Sequence, residues 1–379
     1  MRKIIISSYF LVLILFSLFS YLFIDPNFVY LNNFYWGFAF SERFAVTTFY
    51  VLFILGFFGF YLYFLKLFRE KIVNLKQFKL ILLGTLSILF FSYPAMVSYD
   101  IFNYTTTAKV LFGYFENPYV VMPIEFPGET FLSYTHASNK IALYGPFWLI
   151  LTGIPFVLGL GNFLIILLNF KIMISLFYLF SVYLIYKLTK NLNQVVLFAL
   201  NPLVVIESLV SGHNDIVMMF FVLLSFYLFK NKKIFMSIIF ITLSIFIKYA
   251  TLFLLPVFLY LIFMHFRNKK IDWKKIYLAA TASMSIIFFL SPVREEIYPW
   301  YGIWFLIFVP FIKNRMIKYI ALTFSFSLLL RYIPFMYLGT YFGPTPIIKM
   351  ALTFVPIIIV VLVLFKNYPV LFFNRFLKK

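Results

Sequence analysis

Residues 144–161 read YGPFWLILTGIPFVLGLG, a stretch apolar enough to cross a bilayer. Whether it crosses sets the side on which every later loop lies. If it does, Lys187 and Lys190 face outward and all downstream loops invert. If it folds back, the remaining loops obey the rule that basic residues stay inside. The run is also interrupted by Gly153-Ile154-Pro155 and carries Gly159 and Gly161. Those residues weaken a continuous helix. We therefore expect an interfacial or re-entrant helix on the outer face.

The rest of the chain reads as membrane throughout. Of 379 residues, 64% are hydrophobic and 12% charged, more apolar surface than a soluble core absorbs. Alternating strand patterns are absent, which argues against an outer-membrane barrel. The expected fold class is an all-α polytopic membrane protein with about 12 transmembrane helices and a large outer loop containing interfacial helices. The spans run 4–24, 44–65, 80–97, 163–186, 195–210, 216–229, 234–247, 249–264, 276–290, 300–312, 319–330 and 347–365. After Met1-Arg2-Lys3 the first apolar run is long and ends in Ile24-Asp25-Pro26, so it reads as an uncleaved span and not a signal peptide.

This threading puts both termini inside, with 24 Lys and Arg in inner loops and 7 in outer ones. Nine of the 12 acids then lie outside, and only Glu70 and Asp272 inside. The net charge of +20 does not point to nucleic acid, because the basic residues are spread over many short loops. Orientation and contact with anionic lipid explain them. The absence of Cys excludes disulfides, thiol catalysis and thiolate metal sites. We divide the chain into two N-terminal spans with a cytoplasmic loop (1–79), a membrane core (80–312) holding the outer loop 98–162, and C-terminal spans with a basic tail (313–379).

The outer loop opens Asp100-Ile101-Phe102-Asn103-Tyr104 and continues to Asn117-Pro118-Tyr119. A short helix from Asp100 to Tyr114 would put Asp100 and Tyr104 on one face, four residues apart. Asn117-Pro118 would end it. An aspartate at a membrane exit is more often a helix-end residue than a catalyst, and Glu116, Glu125 and Glu129 could be merely solvated. Further on, Ser211-Gly212-His213-Asn214-Asp215 joins two spans by a tight turn, in which Asp215 can cap the next helix and Gly212 supply the turn. The same cluster could instead hydrogen-bond a ligand head group. Lys248 interrupts an apolar run at an outer turn, where a phosphate partner and simple snorkelling compete. The charges of Arg294-Glu295-Glu296 could pair with one another, and Trp300 and Tyr301 suit an aromatic belt or a sugar platform. Lys171 and Glu207 are charges within spans, so we expect them to approach one another or share a polar pocket.

Taken in order, several of these pieces resemble the GT-C superfamily of polytopic glycosyltransferases. They are Asp100-x-x-x-Tyr104, Gly113 with Asn117-Pro118-Tyr119, Tyr144-Gly145-Pro146, Asn201-Pro202, His213-Asn214-Asp215, Lys248 and Pro299-Trp300-Tyr301. The set is most similar to bacterial polyprenol-phosphomannose-dependent mannosyltransferases. The resemblance implies transfer of a hexose, mannose by preference, from a polyprenyl-phosphate donor to a glycan or glycolipid acceptor, with inversion, on the outer face of the plasma membrane. It carries the role of catalytic base to Asp100. Tyr104, Asn117, Tyr144, His213, Asn214, Asp215, Lys248, Arg294, Trp300 and Tyr301 become candidate substrate-binding residues, with no cofactor or metal required. The expected partners are the lipid-linked donor, the acceptor and the bilayer, and no nucleic acid. The chain departs from the pattern in having Ile101 where many relatives place a second acid, Tyr298 where some have His, and two extra leading spans. A transporter or flippase of lipid-linked sugars, or an inactive assembly subunit, are the alternatives. The flippase reading predicts inverted repeats and midplane polar residues, of which no clear sign is present.

Overall fold

The structure is a computed structural model that describes residues 2–28, 30–31, 37–293 and 296–367. Arg294 and Glu295 lie outside the described residues. The helices of eight residues or more are α1 (Arg2–Ser20), α2 (Arg43–Arg69), α3 (Leu75–Phe90), α4 (Asp100–Phe112), α5 (Pro146–Leu158), α6 (Phe163–Thr189), α7 (Leu192–Ala199), α8 (Asp215–Lys230), α9 (Ile234–Ile245), α10 (Leu255–Phe266), α11 (Trp273–Leu290), α12 (Arg315–Leu330) and α13 (Thr345–Asn367). Among the described residues there is no strand.

Seven helices are long and apolar enough to cross a membrane, or eight if one bent pair counts as a span. The expected count of about 12 is therefore not confirmed. The shortfall comes from broken and short elements. The expected span 195–210 is bent by 56° between α7 and Pro202–Val210. The cause is local: Pro202 has no N–H to continue the ladder, and the Asn201 side chain instead accepts the Leu203 N–H at 3.1 Å. Helices of 12 to 16 residues, such as α8 and α9, rise only about 18–24 Å, less than the hydrocarbon core.

The 13-residue α5 would rise only about 20 Å. It carries Pro146 at its start and Pro155 inside, and it packs against α4 and α6. Its length is that of an interfacial or re-entrant helix.

Aromatic packing joins the elements. Phe163, the first residue of α6, has its ring 5.5 Å from Phe102 of α4, 4.6 Å from Tyr134 and 4.9 Å from Phe131. This cluster seats the loop between α4 and α5 on the end of the bundle. An ion pair between Lys109 and Glu129 at 2.5 Å ties the loop back to α4. From Phe163 to Thr189, α6 spans 27 residues, about 40 Å. It therefore separates two ends of the molecule with different chemistry. Buried residues from all three stretches of the sequence join one core.

A close backbone approach fixes the loop beside the site. Gly145 donates its N–H to the Ile247 carbonyl at 3.0 Å, and Phe147 donates to Phe246 at 2.9 Å. A β-carbon at Gly145 would overlap the Phe246 carbonyl, so only glycine allows the contact. The result holds Tyr144 next to Lys248.

Candidate active site

Asp100 is the first residue of α4, where the helix dipole favours a carboxylate. Its N–H reaches the Ser98 hydroxyl at 3.4 Å. The carboxylate lines a cavity of about 530 Å³ together with Asn103, Tyr144, Lys248, Trp300 and Tyr301. Behind that wall, the fully buried His213 places Nδ1 3.4 Å from Asp100 Oδ2 and Nε2 3.2 Å from Glu207 Oε2. These are ion-pair separations, and neither ring nitrogen makes an aligned hydrogen bond. The imidazole lies flat on Trp300, with ring centres 3.9 Å apart, and Trp300 in turn stacks on Tyr298 at 4.6 Å. Tyr332 donates its hydroxyl to the second oxygen of Glu207 at 2.9 Å.

This arrangement holds a charged row of carboxylate, imidazole and carboxylate. Burial opposes a charge on His213, but Asp100 and Glu207 on either side outweigh it and lift its pKa from 6.5 to about 9. His213 is therefore a cation at neutral pH.

A second buried carboxylate has another set of partners. Asp215 accepts from Lys248 Nζ at 3.0 and 3.1 Å and from the Trp304 indole N–H at 2.5 Å. Lys248 also lies 4.7 Å from the centre of the Tyr301 ring, and Tyr301 stacks on Trp304 at 4.1 Å. Asp215 thus binds across the core and does not cap α8, although it begins that helix; Asn214, preceding it, makes no side-chain cap either. Gly212 does supply the turn, with φ of +72°.

Of the expected site residues, Asp100, Tyr144, Lys248, Trp300 and Tyr301 face one cavity. His213 and Asp215 back it, each in contact with a lining residue. Tyr104 is buried below, its hydroxyl accepting the Asn214 N–H at 3.3 Å and its ring edge-to-face with Tyr144 at 5.0 Å. Asn117 is not among the lining residues: its side chain accepts the Tyr119 N–H at 3.0 Å and shapes a loop turn, while Tyr119 bonds the Tyr144 carbonyl at 2.7 Å. Arg294 falls outside the described residues. Lys171 and Glu207 take separate partners: the Lys171 ammonium donates to the Ser92 carbonyl at 2.7 Å, while Glu207 serves His213 and Tyr332. Glu296 pairs with Lys349 at 3.1 Å and Arg331 at 3.5 Å.

The sequence reading missed Glu207 as the partner of His213. Six residues apart, the two would sit on different faces of an α-helix. A π-helical turn at Ile206–Val210 and the left-handed Gly212 bring them together. It also missed Trp304 and Tyr332, whose partners lie far away in sequence. Around the row, Ser208, Ser211 and Asn214 bury side-chain polar atoms with no hydrogen-bond partner among the described residues. Such a concentration marks a functional site more than a structural one. No group of three or more His, Asp or Glu among the described residues is placed to hold a metal ion.

Comparison with curated proteins and with solved structures finds no match. Residues 12–264 match the alpha-(1->6)-mannopyranosyltransferase family over its N-terminal domain. That match takes in the second half of α1, all of α2 to α9 and most of α10, and with them Asp100, Glu207, His213, Asp215 and Lys248. A cavity walled by a carboxylate, a lysine and stacked aromatic rings suits a sugar phosphate, and the chain belongs to the alpha-(1->6)-mannopyranosyltransferase family, a family of membrane glycosyltransferases.

Proposed function

We propose that this mannosyltransferase takes its sugar from a polyprenyl-phosphate donor and passes it to a hydroxyl of a glycan or glycolipid at the outer face of the plasma membrane. The reading rests on one observation: Asp100, Lys248 and the Trp300–Tyr301 pair share the wall of a single cavity large enough for a hexose and its acceptor. Asp100 acts as general base. As the acceptor oxygen attacks the anomeric carbon, its proton passes to the Asp100 carboxylate. The bond from that carbon to the phosphate oxygen breaks, and polyprenyl phosphate leaves with the electron pair. A single displacement inverts the anomeric centre, so an alpha product requires a beta-linked donor.

The row behind Asp100 explains its orientation. His213 holds one carboxylate oxygen, which leaves the other for the acceptor. The leaving phosphate is already a good leaving group and needs charge stabilisation more than a proton. We assign that to Lys248 instead of a metal ion, so a chelator should leave transfer unchanged. The faces of Trp300 and Tyr301 suit stacking on the sugar ring. Leu252, Phe253 and Leu290 also line the cavity and are exposed at the protein surface, an exit that suits the prenyl chain.

The test is transfer of labelled mannose from a polyprenyl-phosphate donor to a mannose-containing acceptor by the purified protein. Asp100→Asn should lower the rate by about 10²–10⁴-fold with the protein still folded. Transfer near the normal rate would remove Asp100 from the mechanism. Movement of the donor across a vesicle membrane without transfer would favour a flippase.

A further inference from the structure

A cavity larger than the one that holds Asp100 lies elsewhere. A space of about 1270 Å³ opens at the far end of α6, where Leu188 and Thr189 form part of its wall. Six cations line it: Lys66, Arg69, Lys274, Lys313, Arg315 and Lys318. No Asp or Glu lines it, and among the described residues none of the six forms an ion pair with a carboxylate. Lys318 is the most enclosed of them, and its ammonium donates to a neutral oxygen, Gln194 Oε1, at 2.7 Å. The buried Tyr277 is part of the lining too, its ring stacked on Phe311 at 4.1 Å, and its hydroxyl has no hydrogen-bond partner among the described residues.

The cations on α2 and α12 lie toward the ends of those helices, and apolar lining residues continue inward from them. On α2, Phe58 lies eight residues from Lys66; on α12, Phe326 lies eight residues from Lys318. Each step is about 12 Å along the helix. The two rings meet edge-to-face at 5.0 Å and 83°, closing the floor of the cavity. Leu62, Leu322, Ile359 and Val360 form the sides. A soluble anion would satisfy the rim and leave this apolar shaft filled with water. An acidic peptide would have to bury its backbone in the shaft without partners.

We propose that this cavity binds a membrane phospholipid with an anionic phosphate headgroup, its phosphate among the cations and Tyr277 and one chain running down to Phe58 and Phe326. Basic pockets between membrane helices hold lipid headgroups in this manner. The site is distinct from the cavity that holds Asp100, sharing no lining residue with it, and does not depend on the reaction assigned there.

The experiment uses the full chain in phosphatidylcholine nanodiscs carrying a trace of phosphatidylglycerol with a diazirine in its acyl chain. Photolabelled residues are mapped by mass spectrometry. Labelling should concentrate on Phe58, Leu62, Leu322 and Phe326 relative to lipid-facing Leu11 and Leu18 of α1. Unlabelled phosphatidylglycerol should compete, and phosphatidylcholine should not. Each basic residue near a lipid phosphate is worth about fivefold in binding, so Arg315→Gln with Lys318→Gln should cut cavity labelling by roughly twentyfold and leave α1 labelling unchanged. If that pair fails to fold, Lys66→Gln with Arg69→Gln, at the exposed end of α2, should give the same loss. The proposal is overturned by labelling no stronger than on α1, or by variants that label like the wild type. Competition by inorganic phosphate, or by polyprenyl phosphate where phosphatidylglycerol fails, overturns it as well.

Discussion

The two cavities sit toward opposite ends of α11 and treat charge in opposite ways. At the Asp100 end the charges around His213 and Asp215 are matched: Asp100 and Glu207 flank His213, and Asp215 holds Lys248. At the other end six cations face one space with no carboxylate among them. A matched buried charge is rigid, because removing either partner strands the other. An unmatched one remains available to a ligand. On the readings proposed, the Asp100 site is pre-organised by the protein itself, whereas the basic cavity is completed by a ligand.

If so, changes at the matched end should be large. The largest is the loss of transfer in Asp100→Asn already described. Next comes Glu207→Gln. It removes one of the two carboxylates that hold the buried imidazolium, and breaking such a pair costs about 3–5 kcal/mol. Thermal unfolding in detergent should fall accordingly, and transfer should fall with it because Asp100 loses its fixed partner. An unchanged midpoint would mean that His213 is neutral and the charged row does not exist.

The same row sets a pH dependence. The pKa of His213 rises from 6.5 to about 9 on folding, so the folded state holds the proton more tightly. Its contribution is complete below pH 6.5 and is lost as pH rises through 9, a total on the order of 3 kcal/mol. Midpoints measured from pH 6 to 10 should decline across that window and level off above it. A flat profile there would break the claim that the site is held by charge.

Much of this end was legible in the sequence, for reasons that differ by residue. Asp100, Tyr144, Lys248 and Trp300 each stood out as a polar or aromatic interruption at the edge of an apolar run, and they share one wall. The all-helical membrane class followed from composition. Pairing was not legible. The contact of Glu207 with His213 needs a π turn that no 3.6-residue periodicity announces. The indole of Trp304 reaches Asp215 from 89 residues away. The span count is not confirmed for a related reason, since hydropathy marks apolar runs but not where Pro202 bends one. The basic cavity was invisible because its cations had been read as topology signals, one loop at a time.

A smaller effect should come from Gly145→Ala. The new methyl group meets the Phe246 carbonyl, a part of the backbone that cannot swing aside. Overpacking of this kind costs about 1–3 kcal/mol. The loop must then lift from the Phe246–Lys248 turn, taking Tyr144 away from Lys248. A shift of about 1 Å in a positioning element can lower a rate as much as 10²-fold, so transfer should fall by more than the stability loss alone explains. Equal and small losses in both would mean that Tyr144 contributes no alignment.

The smallest effect carries the opposite sign. Lys318→Gln at the basic end removes an enclosed cation whose hydrogen-bond partner is the neutral Gln194. A glutamine there can still donate to that oxygen, and the repulsion from Arg315 and Lys313 is relieved. In detergent stripped of anionic lipid the unfolding midpoint should therefore stay level or rise, by no more than about 1 kcal/mol in stability. Restoring phosphatidylglycerol should raise the wild-type midpoint more than the variant's, because only a protein that binds the lipid gains from its presence. A clear destabilisation in stripped detergent would mean that Lys318 is matched within the protein after all, and the contrast between the two ends would be gone.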